Sequence, residues 1–315
     1  MRALTYSDGK LSIEERPDPS PGAGEIAVRV RAAGLNNADL LQVRGFYPAP
    51  PGSPPDIPGL ELAGEVVAVG EGVTRFAVGD RAMAVVGGGA QAEVAVVHER
   101  AAMPVPGPMT WEEAGAFPEA FTTAHDALFT QAGLAMGERL CVHGAAGGVG
   151  VAAVQIAVAA GAFVTGTVRD PEARALLEGL VPAVRGVPSD DFVGSGPYDV
   201  ILELVGGVNL ADNLKALEVG GRISVIGVGS GARAELDLLA LMGKRARIFG
   251  STLRARPLEQ KADAARRVER SVLPLVEQGR VQVPVLAEFP LARAAEAYEL
   301  FAKPGKFGKI VITFE

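Results

Sequence analysis

From about Thr110 onward the chain alternates helical segments with short apolar strands, and that alternation constrains the fold more than any other feature. The strands read Leu140-Cys-Val-His, Phe163-Val-Thr-Gly-Thr-Val, Tyr198-Asp-Val-Ile-Leu-Glu-Leu-Val, Arg222-Ile-Ser-Val-Ile-Gly and Arg247-Ile-Phe-Gly. Strand-helix-strand units cross over in one hand, so a series of them dictates a parallel, doubly wound α/β sheet. Between the first strand and its helix stands CVHGAAGGVGVAAVQ, residues 141–155. It has the form of a glycine-rich nucleotide turn, with Ala145 where the first glycine of G-x-G-x-x-G belongs.

Strand, turn and helix in this order separate a dinucleotide loop from a chance run of glycines. In the run Ala145-Ala146-Gly147-Gly148-Val149-Gly150, Gly147 lets the backbone approach a pyrophosphate and Gly150 allows close helix packing. The free N–H groups at the helix start supply an anion site. The competing reading, a turn that binds nothing, is outweighed by the strand order. The adenosine ribose is read at the end of the second strand, which runs Gly166-Thr167-Val168-Arg169. No acid stands before Arg169, whose guanidinium can grip a 2′-phosphate bidentately, although Asp170 can pair with it instead. The expected cofactor is NADPH.

The first hundred residues read as β-structure, with Ile26-Ala-Val-Arg-Val-Arg alternating as a half-buried strand does. After Pro257 an Arg- and Ala-rich helix leads to Lys309-Ile-Val-Ile-Thr-Phe, a last strand returning to the β-rich part. The expected divisions are a mainly β domain over 1–112, a dinucleotide-binding domain over 113–256, and a helix with a final strand over 257–315. With 315 residues, 48% of them apolar, the chain buries a substantial core easily. A formal charge of −7 offers no basic surface to nucleic acid. The single cysteine, Cys141, excludes an internal disulfide framework and suits a reducing compartment. Val149 to Val168 carries no charge, but Gly150, Gln155, Gly161 and Gly166 interrupt it, and a buried strand-helix-strand unit has the same hydropathy. The opening MRALTYSDGK lacks an apolar targeting core, so the expected location is cytoplasmic, with no membrane partner.

The chain resembles the medium-chain dehydrogenase/reductase superfamily, and within it the zinc-independent quinone oxidoreductases of the zeta-crystallin type. The likeness rests on Ala32-Ala-Gly34-Leu-Asn36-Asn-Ala-Asp39, Pro58-Gly59-Leu60-Glu61-Leu-Ala-Gly64-Glu-Val66, Val69-Gly70, Gly79-Asp80-Arg81 and Ala145-Ala-Gly-Gly-Val-Gly150 with Gln155. It implies a GroES-like catalytic domain beside a Rossmann domain, and a homodimer. In the alcohol dehydrogenase branch the first zinc ligand is a Cys in G-V-C and the second a His in G-H-E. Here Asn36 and Leu60 stand at those positions, so no metal is expected. Without a Lewis acid, what remains is hydride delivery to an acceptor already electrophilic, a quinone or an activated alkene.

By the same resemblance, Asn36 and Tyr47 are the candidate catalytic residues. Asn36 would hydrogen-bond the nicotinamide ribose or the acceptor oxygen; Tyr47 would stack on a planar ring or donate its hydroxyl. Each has a plainer alternative, a turn cap for Asn36 and loop packing for Tyr47. Asp39 is read as a helix cap. Thr122, Val205, Gly206, Ile226, Gly227 and Val228 lie where the family's cofactor runs, with Ser251, Thr252, Phe307, Gly308 and Lys309 closing over the nicotinamide end. The readings to be separated are an NADPH:quinone reductase, an NADPH-dependent enone or enoyl reductase, and an NADPH-binding protein with a structural or RNA-binding role. Residue pattern alone leaves the acceptor open.

Overall fold

The computed structural model describes all 315 residues. They form two compact units: residues 1–122, 253–304 and 309–315 make the first, residues 123–252 and 305–308 the second. The first unit opens with β1 (Arg2–Ser7), β2 (Lys10–Glu15), β3 (Glu25–Gly34), α1 (Asn37–Val43), β4 (Glu61–Val69), β5 (Arg81–Val85), β6 (Val94–His98) and β7 (Ala102–Pro104). Helices α2 (Trp111–Ala116) and α3 (Pro118–His125) lead to the boundary at Thr122. That boundary falls beyond residue 112 because α2 packs on β3: a Cβ on Gly115 would lie 2.6 Å from the Ala32 Cβ.

The second unit contains β8 (Arg139–Val142), α4 (Gly148–Ala159), β9 (Phe163–Thr167), α5 (Pro171–Leu180), β10 (Arg185–Val187), β11 (Tyr198–Glu203), α6 (Leu210–Ala216), β12 (Leu217–Val225), α7 (Leu238–Lys244) and β13 (Arg247–Gly250). The chain then re-enters the first unit through α8 (Leu258–Ser271), α9 (Leu273–Glu277), β14 (Val285–Pro290), α10 (Ala294–Ala302) and β15 (Lys309–Thr313).

In the second unit the strands lie in the order β10-β9-β8-β11-β12-β13, every neighbouring pair parallel. This is the doubly wound arrangement expected from the strand-helix alternation, and its direction reverses between β8 and β11. The uncharged stretch 149–168 folds into α4, a turn and β9, and no helix is long and apolar enough to cross a membrane.

The first unit carries a sheet ordered β14-β15-β3-β4-β5-β7, with β6 also paired to β3. All pairs are antiparallel except β14 with β15. Alternation along β3 sends Ile26, Val28 and Val30 into a core shared with Leu62, Val66, Ile310 and Ile312. Pairing of β15 with β3 makes this unit discontinuous in sequence and carries Lys309 to the sheet end occupied by Gly34.

Candidate active site

The glycine-rich turn solves its missing glycine by shifting the demand one residue. Gly144, not residue 145, adopts the left-handed conformation, at φ 66°. Ala145 is fully buried, and its N–H donates to Thr167 O at 3.1 Å. Its methyl group fits because β9 has Gly166 opposite: a Cβ there would lie 2.8 Å from the Ala145 Cβ. Gly147 precedes the first turn of α4 in extended conformation, and its N–H donates to Gly144 O at 3.1 Å. Gly150 is required where α4 crosses the loop, since a Cβ would come within 2.6 Å of the Ala145 Cα. Gly147 is exposed and Gly148 and Val149 half-buried, so the helix start is open to an anion.

A buried chain of hydrogen bonds holds this turn to its neighbouring strands. The Glu203 carboxylate accepts from Val205 N at 2.7 Å, Gly206 N at 2.8 Å and Asn213 Nδ2 at 2.8 Å. The Asn213 amide oxygen must then accept from His143 Nε2, 2.7 Å away. That fixes the imidazole tautomer and leaves Nδ1 to accept the Thr167 hydroxyl at 3.1 Å. Burial holds the His143 pKa below its ordinary value, consistent with a neutral ring. Gly144 N–H donates in turn to Thr167 Oγ1 at 3.4 Å. Ile226 and Gly227 join the same strand ends, donating to Glu203 O at 2.9 and 3.1 Å. Loop 305–308 belongs to this unit, and Gly308 N–H donates to Ala146 O at 3.3 Å.

At the end of β9, Asp170 spends its carboxylate on capping α5, accepting from Glu172 N and Ala173 N at 2.9 Å each. Arg169 is exposed and makes no ion pair with it. Val228 and Thr252 are also exposed, while Ser251 is half-buried with its hydroxyl 3.4 Å from Asp126 Oδ2. Burial pushes the Cys141 thiol up, so it is not a ready nucleophile.

In the first unit a second polar cluster surrounds Asn36. Lys309 Nζ donates to Asn36 Oδ1 at 2.7 Å and to Leu35 O at 2.9 Å, and lies 2.6 Å from Glu61 Oε1. The Asn36 amide donates to Glu61 Oε1 at 2.8 Å and to Gly34 O at 3.3 Å. Glu61 Oε2 accepts from Glu119 N at 2.8 Å. Gly34 makes room for this: a Cβ would meet the Glu61 carboxylate and lie 2.8 Å from Gly115 O. Asp39 closes the first turn of α1, accepting from Asn36 N at 2.8 Å and Gly59 N at 3.0 Å.

Tyr47 lies under Arg254, whose guanidinium carbon is 5.0 Å from the ring centroid. Arg254 also donates to Tyr47 O at 2.9 Å, to Gly87 O at 2.8 Å and to the Gln42 side chain. Thr122 lines a small apolar cavity with Val85, Met103 and Leu253, its buried hydroxyl without a partner.

The structure therefore gathers residues 144–150, Thr167, Val205, Gly206, Ile226, Gly227 and Gly308 around the strand ends of the second unit, and Asn36 with Lys309 in the first. The resemblance groups Lys309 with Phe307 and Gly308 at the nicotinamide end; in the structure its side chain engages Glu61 and Asn36. Glu61, His143, Glu203, Asn213 and Arg254 carry these networks without having been singled out for a role. Only Glu61 and Glu203 left a signal, each an acid at the end of a strand next to apolar residues.

Residues 22–107 match the alcohol dehydrogenase GroES-like domain, and residues 183–312 match the zinc-binding dehydrogenase domain. The quinone oxidoreductase of Lama guanicoe is 33% identical over 328 residues, covering 99% of this chain and 97% of its own. That of Rattus norvegicus is 32% identical over 305 residues, covering 93% and 90%. The chain belongs to the medium-chain dehydrogenase/reductase superfamily. Among solved structures, the Pseudomonas syringae quinone oxidoreductase superposes with a TM-score of 0.87 at 27% identity, covering 99% of both chains.

As a medium-chain dehydrogenase/reductase the protein is an oxidoreductase, and the superfamily implies a nicotinamide cofactor. The turn fits one: the Gly150 contact and the open start of α4 form the cradle a pyrophosphate needs. Zinc fits less well. No group of three or more His, Cys, Asp or Glu side chains is placed to hold an ion. Where the first ligand stands in zinc enzymes, Asn36 is already bonded to an ammonium, a cation that would repel a metal.

Proposed function

We propose that the protein is an NADPH-dependent quinone oxidoreductase that works without a metal. The observation that carries this reading is the Asn36–Lys309–Glu61 cluster at the position of a zinc ligand. A site built from an amide and a neutralised ion pair lacks a Lewis acid, so it serves acceptors that are electrophilic without one. Bound NADPH supplies the hydride. The chain's part is to hold the pyrophosphate at the start of α4, to orient the acceptor, and to support Tyr47 through Arg254 as an aromatic surface for a planar ring. Preference for NADPH over NADH rests on Arg169, left free because Asp170 caps α5. We also propose that the protein acts as a homodimer on a small-molecule acceptor.

The test is a panel of quinones, enals, enoyl thioesters and simple alcohols with NADPH and NADH, with and without a chelator. Quinones are expected to react fastest, alcohols not at all, and the chelator to leave the rate unchanged. Arg169→Ser is expected to remove most of the preference for NADPH, about tenfold to a hundredfold in affinity for one charge-assisted contact. Equal affinities in the native protein, or activity lost on chelation, would overturn the reading. Enone or enoyl reduction is the second reading. It is favoured by 35% identity over 300 residues to a segment of the Streptomyces halstedii polyketide synthase GfsB, of which the match spans 5%.

A further inference from the structure

The Glu203 carboxylate receives N–H bonds on both oxygens, from Val205 N, Gly206 N, Asn209 Nδ2 and Asn213 Nδ2. A carboxylate accepts and cannot donate, so it sets the direction of every bond beyond it. Asn213 spends its NH2 on Glu203 at 2.8 Å and therefore turns its oxygen to His143 Nε2 at 2.7 Å. The ring proton is then on Nε2, and Nδ1 accepts the Thr167 hydroxyl at 3.1 Å. Thr167 Oγ1 in turn accepts from Gly144 N at 3.4 Å, and His143 Nδ1 is the one acceptor bonded to its hydrogen. All four side chains are buried, so water does not interrupt the chain.

Thr167 ends β9, His143 follows β8 and Glu203 ends β11, three neighbouring strands. The sheet direction reverses between β8 and β11, the point where an open α/β sheet takes its ligand. One end of the chain orders the Val205 and Gly206 backbone; the other holds Gly144, the left-handed residue that opens the glycine-rich turn. We infer that His143 is a positioning residue: Glu203 sets its tautomer through Asn213, and that tautomer holds the nucleotide turn in its binding conformation through Thr167. A reversed ring would push Nδ1–H at the Thr167 oxygen and leave the hydroxyl hydrogen without its acceptor. The turn would then be held less firmly, and a dinucleotide would bind more weakly. The inference rests on the proposed reading only in taking NADPH as the ligand.

The test reverses the chain and then restores it. In Glu203→Gln the carboxamide keeps its oxygen for the Val205 and Gly206 N–H groups and meets Asn213 with an NH2. Asn213 must turn over, present its own NH2 to His143 Nε2, and drive the ring proton to Nδ1. The variant is expected to show the reversed tautomer by 15N NMR and to bind NADPH about tenfold more weakly by fluorescence titration, the worth of one hydrogen bond. Adding Asn213→Asp moves the carboxylate one place along and gives every bond its native direction again. Tautomer and affinity are both expected to return to within about twofold of the native values. Reversal with unchanged affinity would make the chain merely structural. A restored tautomer with unrestored affinity would assign the effect to the place of the charge; either result overturns the inference.

Two further measurements leave Glu203 untouched. The chain has three histidines, so selective histidine 15N labelling, with His98→Gln and His125→Gln as assignment controls, isolates the His143 ring in the native protein. A native ring protonated on Nδ1 would overturn the inference outright. Thr167→Val keeps the side-chain shape and leaves the tautomer to Asn213, but removes the last link. It is expected to cost about tenfold in NADPH affinity, with Thr167→Ser close to native; native affinity in Thr167→Val would refute the role. The titrations contain no acceptor and are run with NADH alongside NADPH. A protein that fails to reduce quinones, or that binds both dinucleotides equally, fails the proposed function and still answers this question.

Discussion

At the scale of single residues, Asp39 shows how burial changes a role that local sequence describes only in part. Its position after Asn36 marks it as a helix cap, and it does accept N–H bonds from Asn36 and Gly59. Its side chain is also fully buried, and desolvation outweighs those bonds and the nearby Lys309, raising its pKa from 3.8 to about 7. A carboxyl whose folded pKa lies above its unfolded value holds a proton that the unfolded chain has released. Stability from this group therefore falls as pH rises between those two values, and levels off above about pH 7. Compared with Asp39→Asn, the native protein is expected to lose up to about 2 kcal/mol between about pH 5.5 and 7, read from urea midpoints. The lowered pKa of His143 acts in the opposite sense but is common to both proteins and cancels in the comparison. A difference that is constant or grows with pH would contradict the expectation. Asn36 and Asp39 belong to one turn that is recognisable in the sequence, and the hydrogen bond from Asn36 N to Asp39 closes it. Lys309 was legible as important but not in its role, because nothing near it in the chain names Glu61 as its partner.

At the scale of elements, the turn between β8 and α4 reads as a nucleotide loop from its glycines together with the strand before it and the helix after it, yet its departure from the usual glycine pattern makes sense only against β9. Gly144 provides the positive φ, and Gly166 provides the space that the Ala145 methyl fills. Gly166→Ala is expected to destabilise the second unit by about 1–3 kcal/mol, the usual range for overpacking a close contact. Adding Ala145→Gly is expected to recover part of that loss. The recovery is partial because the new methyl would also lie 3.2 Å from Leu177 Cδ2. Urea unfolding of the single and double variants measures both effects. Purely additive losses would show that the two side-chain positions do not share one space.

At the scale of the whole molecule, the second unit exposes an apolar surface that a monomer has little reason to keep. On α7, Leu238, Leu239 and Met242 are 61%, 79% and 69% exposed, and β13 closes the sheet with β12 as its one neighbour. An unpaired edge beside an apolar helix face is suited to a two-fold partner of the same kind. The protein is expected to run as a dimer by light scattering at micromolar concentration. Leu239→Glu/Met242→Glu is expected to halve the mass while leaving the far-ultraviolet circular dichroism unchanged. A native monomer would refute this assembly.

The sequence by itself determined the fold class, the place of the nucleotide turn and the residue types that stand at the zinc-ligand positions. Each of these is written in contiguous residues: strands alternating with helices, a glycine run between them, Asn36 and Leu60 inside short motifs. Only the tertiary structure decided which side chains meet. Lys309 reaches Asn36 and Glu61 because β15 pairs with β3, which itself pairs with β4; Arg254 reaches Gln42, Tyr47 and Gly87 across the first unit; His143, just past β8, joins Thr167 on β9 to Asn213 on α6. Hydrogen bonds and ion pairs act over about 3 Å in space, whatever the separation along the chain, so these partnerships follow from packing and not from spacing.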